Sequence, residues 1–360
     1  MDFRAPFKLP QNRVWRTYLG GKLLDELVDI HEPKDSNFPE DWIASTVPAV
    51  NKGREDVYKE GISFIYDNGT KVYFDELLEN YSTELLGKEY VEKIGKKINI
   101  LVKLLDPSIR LHLQVHPTIE FSKKVLNSEY GKAESYIVLK KRDESKESYV
   151  YLGFKRTPEK EKLKELILNQ EINEIIKYIN KVPLNVGDVY FVPGGYPHAL
   201  GEDVLLIEVQ EPTDFVVRFE FERGGYVLPE SARFMNLDID TAMNIFEYKS
   251  MPLSELMTNY NCVPKIIKSE SGGTEFSLID ERYTNRFLVN KIVVNDVFSE
   301  NNINSYQICI VSKGNGVVEN EYGKFNIKFG DKFFVPFSSK PFRYKSDSEL
   351  EIVKCLPPKL

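Results

Sequence analysis

The stretch from Asn185 to Leu200, NVGDVYFVPGGYPHAL, decides the fold. Gly187-Asp188 makes a tight turn into an apolar run, Val189 to Val192, of the β-branched and aromatic residues that suit a pleated surface. Pro193 has no N–H for a further ladder bond and ends the strand, and Gly194-Gly195 lets the chain turn sharply before His198. The same order returns in KFGDKFFVPFSSKPFRY (328–344), with Gly-Asp, an apolar run and then Pro. The offset from Gly187 to Gly330 is 143 residues, a period that implies two related β-units rather than a solenoid of short repeats.

Outward from this stretch, most segments have strand character. INILVKLL (98–105), RLHLQVH (110–116), SYIVLKK (135–141), VLLIEVQ (204–210) and FVVRFEF (215–221) are separated by turn residues such as Asp106-Pro107 and Gly201. Before the second copy, YQICIVSKGNGVVENEYGKFNIKF (306–329) alternates in the same way. Helical spacing of Leu, Ile and Tyr between charges is confined to 75–96 and 158–181, with shorter stretches near 20–30 and 252–258. The chain is therefore expected to be mainly β, of sandwich or jelly-roll type, with helical insertions. The mixed composition of 222–246 marks a crossing between units and puts the boundary near residue 245, giving units 1–245 and 246–360.

Hydrophobic residues make up 42% of the 360, enough for a substantial core, and the net charge of -7 excludes a global basic field for nucleic acid. No run of about 18 apolar residues suggests a membrane span, and the N-terminus has no signal-peptide pattern, so a cytoplasmic protein is expected. Cys262, Cys309 and Cys355 are odd in number and unpaired in spacing, which argues against a disulfide framework or a thiolate metal site.

The chemistry lies in dispersed residues. Gln114 and His116 stand two apart and share one strand face, with Val115 on the other. Glu134 stands just before the strand SYIVLKK and His198 follows the glycine turn. Singly, Glu134 suits a solvated acid and Gln114 a sheet-edge amide. Together they offer one amide oxygen, two imidazoles and one carboxylate, a donor set that suits Zn²⁺, with Mn²⁺, Fe²⁺ or Co²⁺ as replacements, and leaves room for water or substrate oxygens. Glu208 shares a strand face with Gln210 inside an apolar strand, a costly position unless it is paired, with Arg218 for example, or functional.

The spacing Gly187, five residues, Pro193, one residue, Gly195, two residues, His198 resembles the second cupin motif, with Glu202 in place of its final Asn. LVKLLDPSIRLHLQVHP (101–117), GKAE (131–134), GDVYFVPGGYPHALG (187–201) and LLIEVQEPTDFVVRFEFER (205–223) resemble the type I mannose-6-phosphate isomerases of the cupin superfamily over roughly residues 10–225. FPEDWIASTVPAV (38–50) and Asn51-Lys52-Gly53 resemble that family's Glu-x-Trp-x-x-Ser stretch more loosely. The resemblance implies two cupin (jelly-roll) β-barrel domains, the first catalytic and the second degenerate. It implies one zinc ion per chain, held by Gln114, His116, Glu134 and His198. It also implies Lys132, Glu208 and Arg218 as catalytic residues, with Lys103, His112 and Asp214 lining the substrate cleft.

The family's reaction is an aldose–ketose isomerisation that moves a proton between C2 and C1 through an enediol. Lys132 and Glu208 are both candidates for the base, and the sequence does not choose between them. The partner is a small sugar phosphate, with no nucleic acid and no membrane, and the sequence leaves the oligomeric state open. One departure stands out: His112 replaces a family serine that helps hold the phosphate. It leaves open a charged phosphate donor, a group for another sugar, or a residue that fills space. Isomerisation of another aldose or aldose phosphate, and a cupin that binds sugar or metal without turnover, are the competing readings.

Overall fold

The computed structural model describes residues 1–301 and 303–360. Four larger sheets, antiparallel throughout, share apolar layers in succession. A five-stranded sheet runs in the order Ile179–Leu184, Ser148–Phe154, His198–Leu200, Gln114–Val115, Val217–Arg218. A six-stranded sheet follows in the order Val189–Val192, Glu134–Lys141, Val204–Gln210, Leu101–Leu105, Glu40–Ile43, Arg13–Val14. These two share a cluster that includes Leu152, Leu184 and Leu200 from one and Leu105, Tyr136, Val138 and Leu206 from the other.

The second half repeats the plan. Lys332–Val335, Gln307–Lys313, Leu350–Leu356, Leu288–Val294, Gly273–Ile279 and Lys265–Glu270 are neighbours in that order, with Phe7–Lys8 from the N-terminus added beyond Lys332–Val335. A four-stranded sheet runs Val297–Glu300, Phe342–Lys345, Asn315–Asn320, Gly323–Lys328 and shares a cluster with the seven-stranded one through Cys309, Val318, Phe333, Tyr344 and Ile352. The other faces of the six- and seven-stranded sheets meet in a third cluster, where Val102, Ile137, Ile207 and Val209 join Val289, Ile308, Ile310 and Val353.

Strand alternation explains where polar groups emerge. In Val204–Gln210 all seven residues are buried. Leu205, Ile207 and Val209 join the layer between the two halves, whereas Val204 and Leu206 face the five-stranded sheet. Glu208 and Gln210 continue this second face. Glu134 follows Tyr136 and Val138 onto it, and Lys103 follows Leu105. The apolar interior between the five- and six-stranded sheets thus ends in a polar patch.

The helical stretches are shorter than their spacing suggests. Residues 75–96 form two helices, Phe74–Leu86 and Lys88–Ile94, because Gly87 sits at φ 92° and breaks the ladder between them. The stretch 158–181 gives Lys160–Leu168 and Ile172–Ile176, after which Ile179–Leu184 is a strand. In RLHLQVH only Gln114–Val115 joins a ladder, and in FVVRFEF only Val217–Arg218. Among the described residues no helix is long and apolar enough to cross a membrane. All three cysteines are free and buried.

Candidate metal centre and its pocket

His116, Glu134 and His198 converge at the open end of the first pair of sheets and are all buried. Glu134 Oε2 lies 3.3 Å from His116 Nε2, and its Oε1 lies 3.2 Å from His198 Nε2. His198 Nδ1–H donates to Tyr196 O at 2.9 Å, which fixes the tautomer and leaves the Nε2 lone pair turned toward the carboxylate. The Gln114 amide nitrogen donates to that same Nε2 at 3.2 Å. A half-turn of the amide places its oxygen there instead, the form a cation needs. The Tyr136 hydroxyl donates to Glu134 Oε1. Val115, between the two donors, is fully buried on the opposite face, against the helices outside the sheet. Strand parity therefore places Gln114 and His116 together.

Charge agrees with this donor chemistry. Burial pushes the Glu134 carboxyl up, but the Lys132 charge beside it outweighs burial and holds the group well below its usual range. Burial, with Lys132 beside it, lowers His116 to about 3, so its ring is neutral, the state in which imidazole binds a metal. Two imidazoles, one ionised carboxylate and one amide fit a divalent cation of the zinc type.

Beside this group is a narrow pocket of about 40 Å³ whose wall includes Lys103, His112, Gln114, Lys132, Glu208, Asp214 and Arg218. It shares Thr17, Asp214, Val216 and Arg218 with an outer chamber of about 270 Å³ that is walled in part by Trp15, Lys52 and Tyr226. The structure thus brings every expected site residue to one place. Lys132 Nζ stands 2.8 Å from His116 Nε2 and 3.3 Å from Glu134 Oε2. Glu208 is bound to Lys103, Nζ to Oε1 at 2.7 Å, and that lysine also donates to Gln210 at 2.6 Å. Burial raises the Glu208 carboxyl despite the Lys103 charge. Burial works against the Lys103 ammonium, but Glu208 and Glu40 outweigh it and raise its pKa.

Asp214 is held by Arg16 through two bonds of 3.0 and 3.1 Å. Arg218 is different. Lys103, not Arg218, is the ion-pair partner of Glu208. Among the described residues, the Arg218 side chain makes one hydrogen bond, to Ala232 O at 3.4 Å, and no ion pair. Desolvation lowers its pKa, and a half-buried guanidinium faces the pocket with most of its donors uncommitted.

His112 donates from Nδ1 to Glu220 O at 3.0 Å, and its Nε2 has no partner among the described residues. Burial, with Arg218 next, lowers its pKa to about 4. These surroundings favour a neutral ring whose free Nε2 accepts a hydrogen bond.

Sequence reasoning missed a second tier of residues. Glu40, 5% exposed, accepts from Tyr18 Oη and from Trp42 Nε1 at 2.7 Å each, pairs with Arg16 at 3.1 Å, and approaches Lys103 to 3.9 Å. The signal was present in Glu40-x-Trp42, whose members share a strand face. Arg16 and Tyr18 gave none, since their strand partners are far away in sequence.

No family model matches the chain. The mannose-6-phosphate isomerase ManA of Bacillus subtilis (strain 168) is 25% identical over 252 residues, 69% of this chain and 73% of that protein. The mannose-6-phosphate isomerase of Streptococcus mutans is 24% identical over 255 residues, 71% of this chain and 72% of that protein. The crystal structure of a mannose 6-phosphate isomerase from Bacillus subtilis superimposes with a TM-score of 0.74 at 21% identity, covering 97% of this chain and 99% of that one. A mannose 6-phosphate isomerase structure bound with zinc and yttrium superimposes with a TM-score of 0.71 at 18% identity, covering 99% and 100%. In sequence and in fold the chain resembles these proteins.

Proposed function

We propose that the chain is a zinc-dependent aldose–ketose isomerase that interconverts mannose 6-phosphate and fructose 6-phosphate. One observation carries this reading: a His116–Glu134–His198 donor group adjoins a pocket that also holds two acid–base candidates, Lys132 and Glu208, and an unpaired Arg218. A binder without turnover has no need of acid–base groups beside its metal.

Gln114, His116, Glu134 and His198 would hold one zinc ion per chain, which would supply Lewis acidity toward the substrate oxygens at C1 and C2. The remaining chemistry belongs to side chains. Lys132 or Glu208 takes the proton from one carbon and returns it to the other, so the enediol forms and collapses on the enzyme. The raised pKa of Glu208 brings a carboxylate closer to the neutral range where a base is most effective. Lys103 balances its charge, and Gln210 holds Lys103 in place. Arg218 offers its free donors to an enediolate or phosphate. His112 Nε2 accepts from a sugar hydroxyl, and Asp214, tied to Arg16, forms the neighbouring wall.

The two sets of sheets correspond to a catalytic cupin unit over 1–245 and a degenerate one over 246–360, each of jelly-roll type, in a protein of the cytoplasm. His112 in place of the family serine also favours a second substrate reading, another aldose or aldose phosphate. The test is turnover of mannose 6-phosphate to fructose 6-phosphate in deuterated water, with and without a chelator, beside a panel of other aldoses and their phosphates. Chelator-sensitive conversion with deuterium entering the product is expected. Conversion of none of the panel overturns the isomerase reading.

A further inference from the structure

Lys132 lies in a segment that one carboxylate straddles. Glu211, 2% exposed, follows directly after the strand Val204–Gln210. Its Oε2 accepts from Gly131 N–H and its Oε1 from Ala133 N–H, both at 3.2 Å, so it grips the backbone on either side of Lys132. Three further bonds fix the same segment. Glu211 N–H donates to Ala133 O at 3.1 Å, Thr213 Oγ1 to Gly131 O at 2.8 Å, and Lys132 N–H to Pro117 O at 3.0 Å.

Among the described residues the carboxylate has one counter-charge within ion-pair distance, and it comes from the other half of the chain. Arg286 Nε lies 3.0 Å from Glu211 Oε2. Its guanidinium also donates to Glu129 O at 3.3 Å and lies 5.2 Å from the Tyr130 ring centre. Arg286 precedes the strand Leu288–Val294, and its neighbour Phe287 is fully buried in the layer between the halves. The guanidinium is thereby anchored in one half and spent on the other. Removing it leaves a buried carboxylate whose remaining partners are neutral N–H groups, a state that favours protonation or withdrawal and with it the loss of a two-sided grip.

We propose that Arg286 is a positioning residue for Lys132: through Glu211 it fixes the backbone of residues 131–133 and so keeps the lysine ammonium at the His116–Glu134 edge of the pocket. This gives the second half of the chain a part in the chemistry of the first. It rests on the reading of Lys132 as a group that meets substrate.

The test uses the full chain with zinc bound, as Arg286→Ala, Arg286→Lys and Glu211→Gln, with Lys132→Met as reference. Expected for Arg286→Ala is a fall in kcat of about 10- to 100-fold, the scale of a small misplacement, with KM and metal content within about twofold of wild type. Guanidinium ion at low millimolar concentration should restore part of the rate to Arg286→Ala and none to Glu211→Gln. A second readout is independent of turnover. Acetic anhydride labelling, read by peptide mass spectrometry, should change severalfold at Lys132 and stay constant at the exposed Lys140. If Arg286→Ala melts earlier but keeps its kcat below that temperature and its Lys132 labelling, the role is only structural and the proposal is overturned. If Arg286→Ala does not fold, the same readouts on Arg286→Lys and Glu211→Gln decide in the same way. If wild type turns over no sugar phosphate, or Lys132→Met keeps its rate, the functional reading fails, and the labelling still decides the positioning.

Discussion

Glu208 and Lys354 stand at the same place in two copies of one sheet. Glu208 lies opposite Lys103 on one neighbouring strand and Tyr136 on the other, and Lys354 lies opposite Asn290 and Cys309 on the matching strands. Likewise Glu134 opposes Val192, which precedes Pro193, and Gln307 opposes Val335, which precedes Pro336. The matching strands of the outer sheets begin with His198 opposite Gln114 in one half and Phe342 opposite Glu300 in the other. Where the first half has Glu134, His198 and Gln114, the second has an amide, a phenyl ring and a carboxylate.

One buried charge cluster lies wholly within the second half. Lys354, 5% exposed, lies 2.6 Å from Glu275 and 2.9 Å from Glu300. Lys354→Met strands two buried carboxylates and is expected to cost about 3–5 kcal/mol. Molecules that remain folded should keep their kcat. Urea midpoints and initial rates at 25 °C check both, and a variant as stable as wild type would show that the lysine does not balance that core.

The donor group of the first half predicts a linked loss. His116→Ala and His198→Ala should each abolish stoichiometric zinc and activity, with the far-ultraviolet circular dichroism unchanged, because the apolar layers do not depend on the site. Chelation should lower the melting temperature of wild type, since bound metal stabilises the folded state by mass action, and should leave the two variants where they are. Metal analysis with differential scanning fluorimetry measures this, and full metal content in either variant contradicts the assignment.

Lys132 and Glu208 reach the same pocket by different routes, one from a clamped loop and one from mid-sheet. Lys132→Met and Glu208→Gln should each lower kcat, and the true base by about 10²–10⁴-fold. Rates in single-turnover experiments identify which loss lies in proton transfer. Near-normal turnover in both variants would exclude both residues.

Much of this site was legible because strand parity is local. Gln114 and His116, or Glu208 and Gln210, need only a period of two to be set on one face. The repeat at Gly187 and Gly330 pointed to related units, and the six-stranded order returns within the seven-stranded sheet, with Phe7–Lys8 added at its edge. Other features depend on contacts that no window contains. Whether Glu208 meets Lys103 or Arg218 is a matter of sheet order, and Glu211 meets Arg286 across 75 residues. The helical signal from 158 ran too far because Ile175, Ile176, Tyr178 and Ile179 keep helical spacing, while Ile179–Leu184 is decided by its pairing with Ser148–Phe154. RLHLQVH is not one strand because Leu113 N–H bonds the Glu220 carboxylate rather than a ladder carbonyl, yet Gln114 and His116 still share a face.

The last prediction concerns Glu40, which ties the N-terminal strands to the pocket. Burial alone would raise its carboxyl, but Arg16 and Lys103, with bonds from Trp42 and Tyr18, bring it to about 2 from an ordinary value of 4.5. The folded pKa is below the unfolded one, so between these values the unfolded chain binds more protons and stability rises with pH. The contribution is complete above about pH 4.5 and disappears as pH falls toward 2, and it amounts to about 3 kcal/mol. Glu40→Gln cannot gain this stabilisation. The difference in unfolding free energy between wild type and variant should therefore be largest at pH 6–7 and shrink steadily from pH 5 to pH 3. Urea titrations of the two metal-free proteins across that range isolate Glu40, because every other titrating group is common to both. A difference that stays constant down to pH 3 would mean that the Glu40 carboxylate is not held by Arg16 and Lys103 in solution.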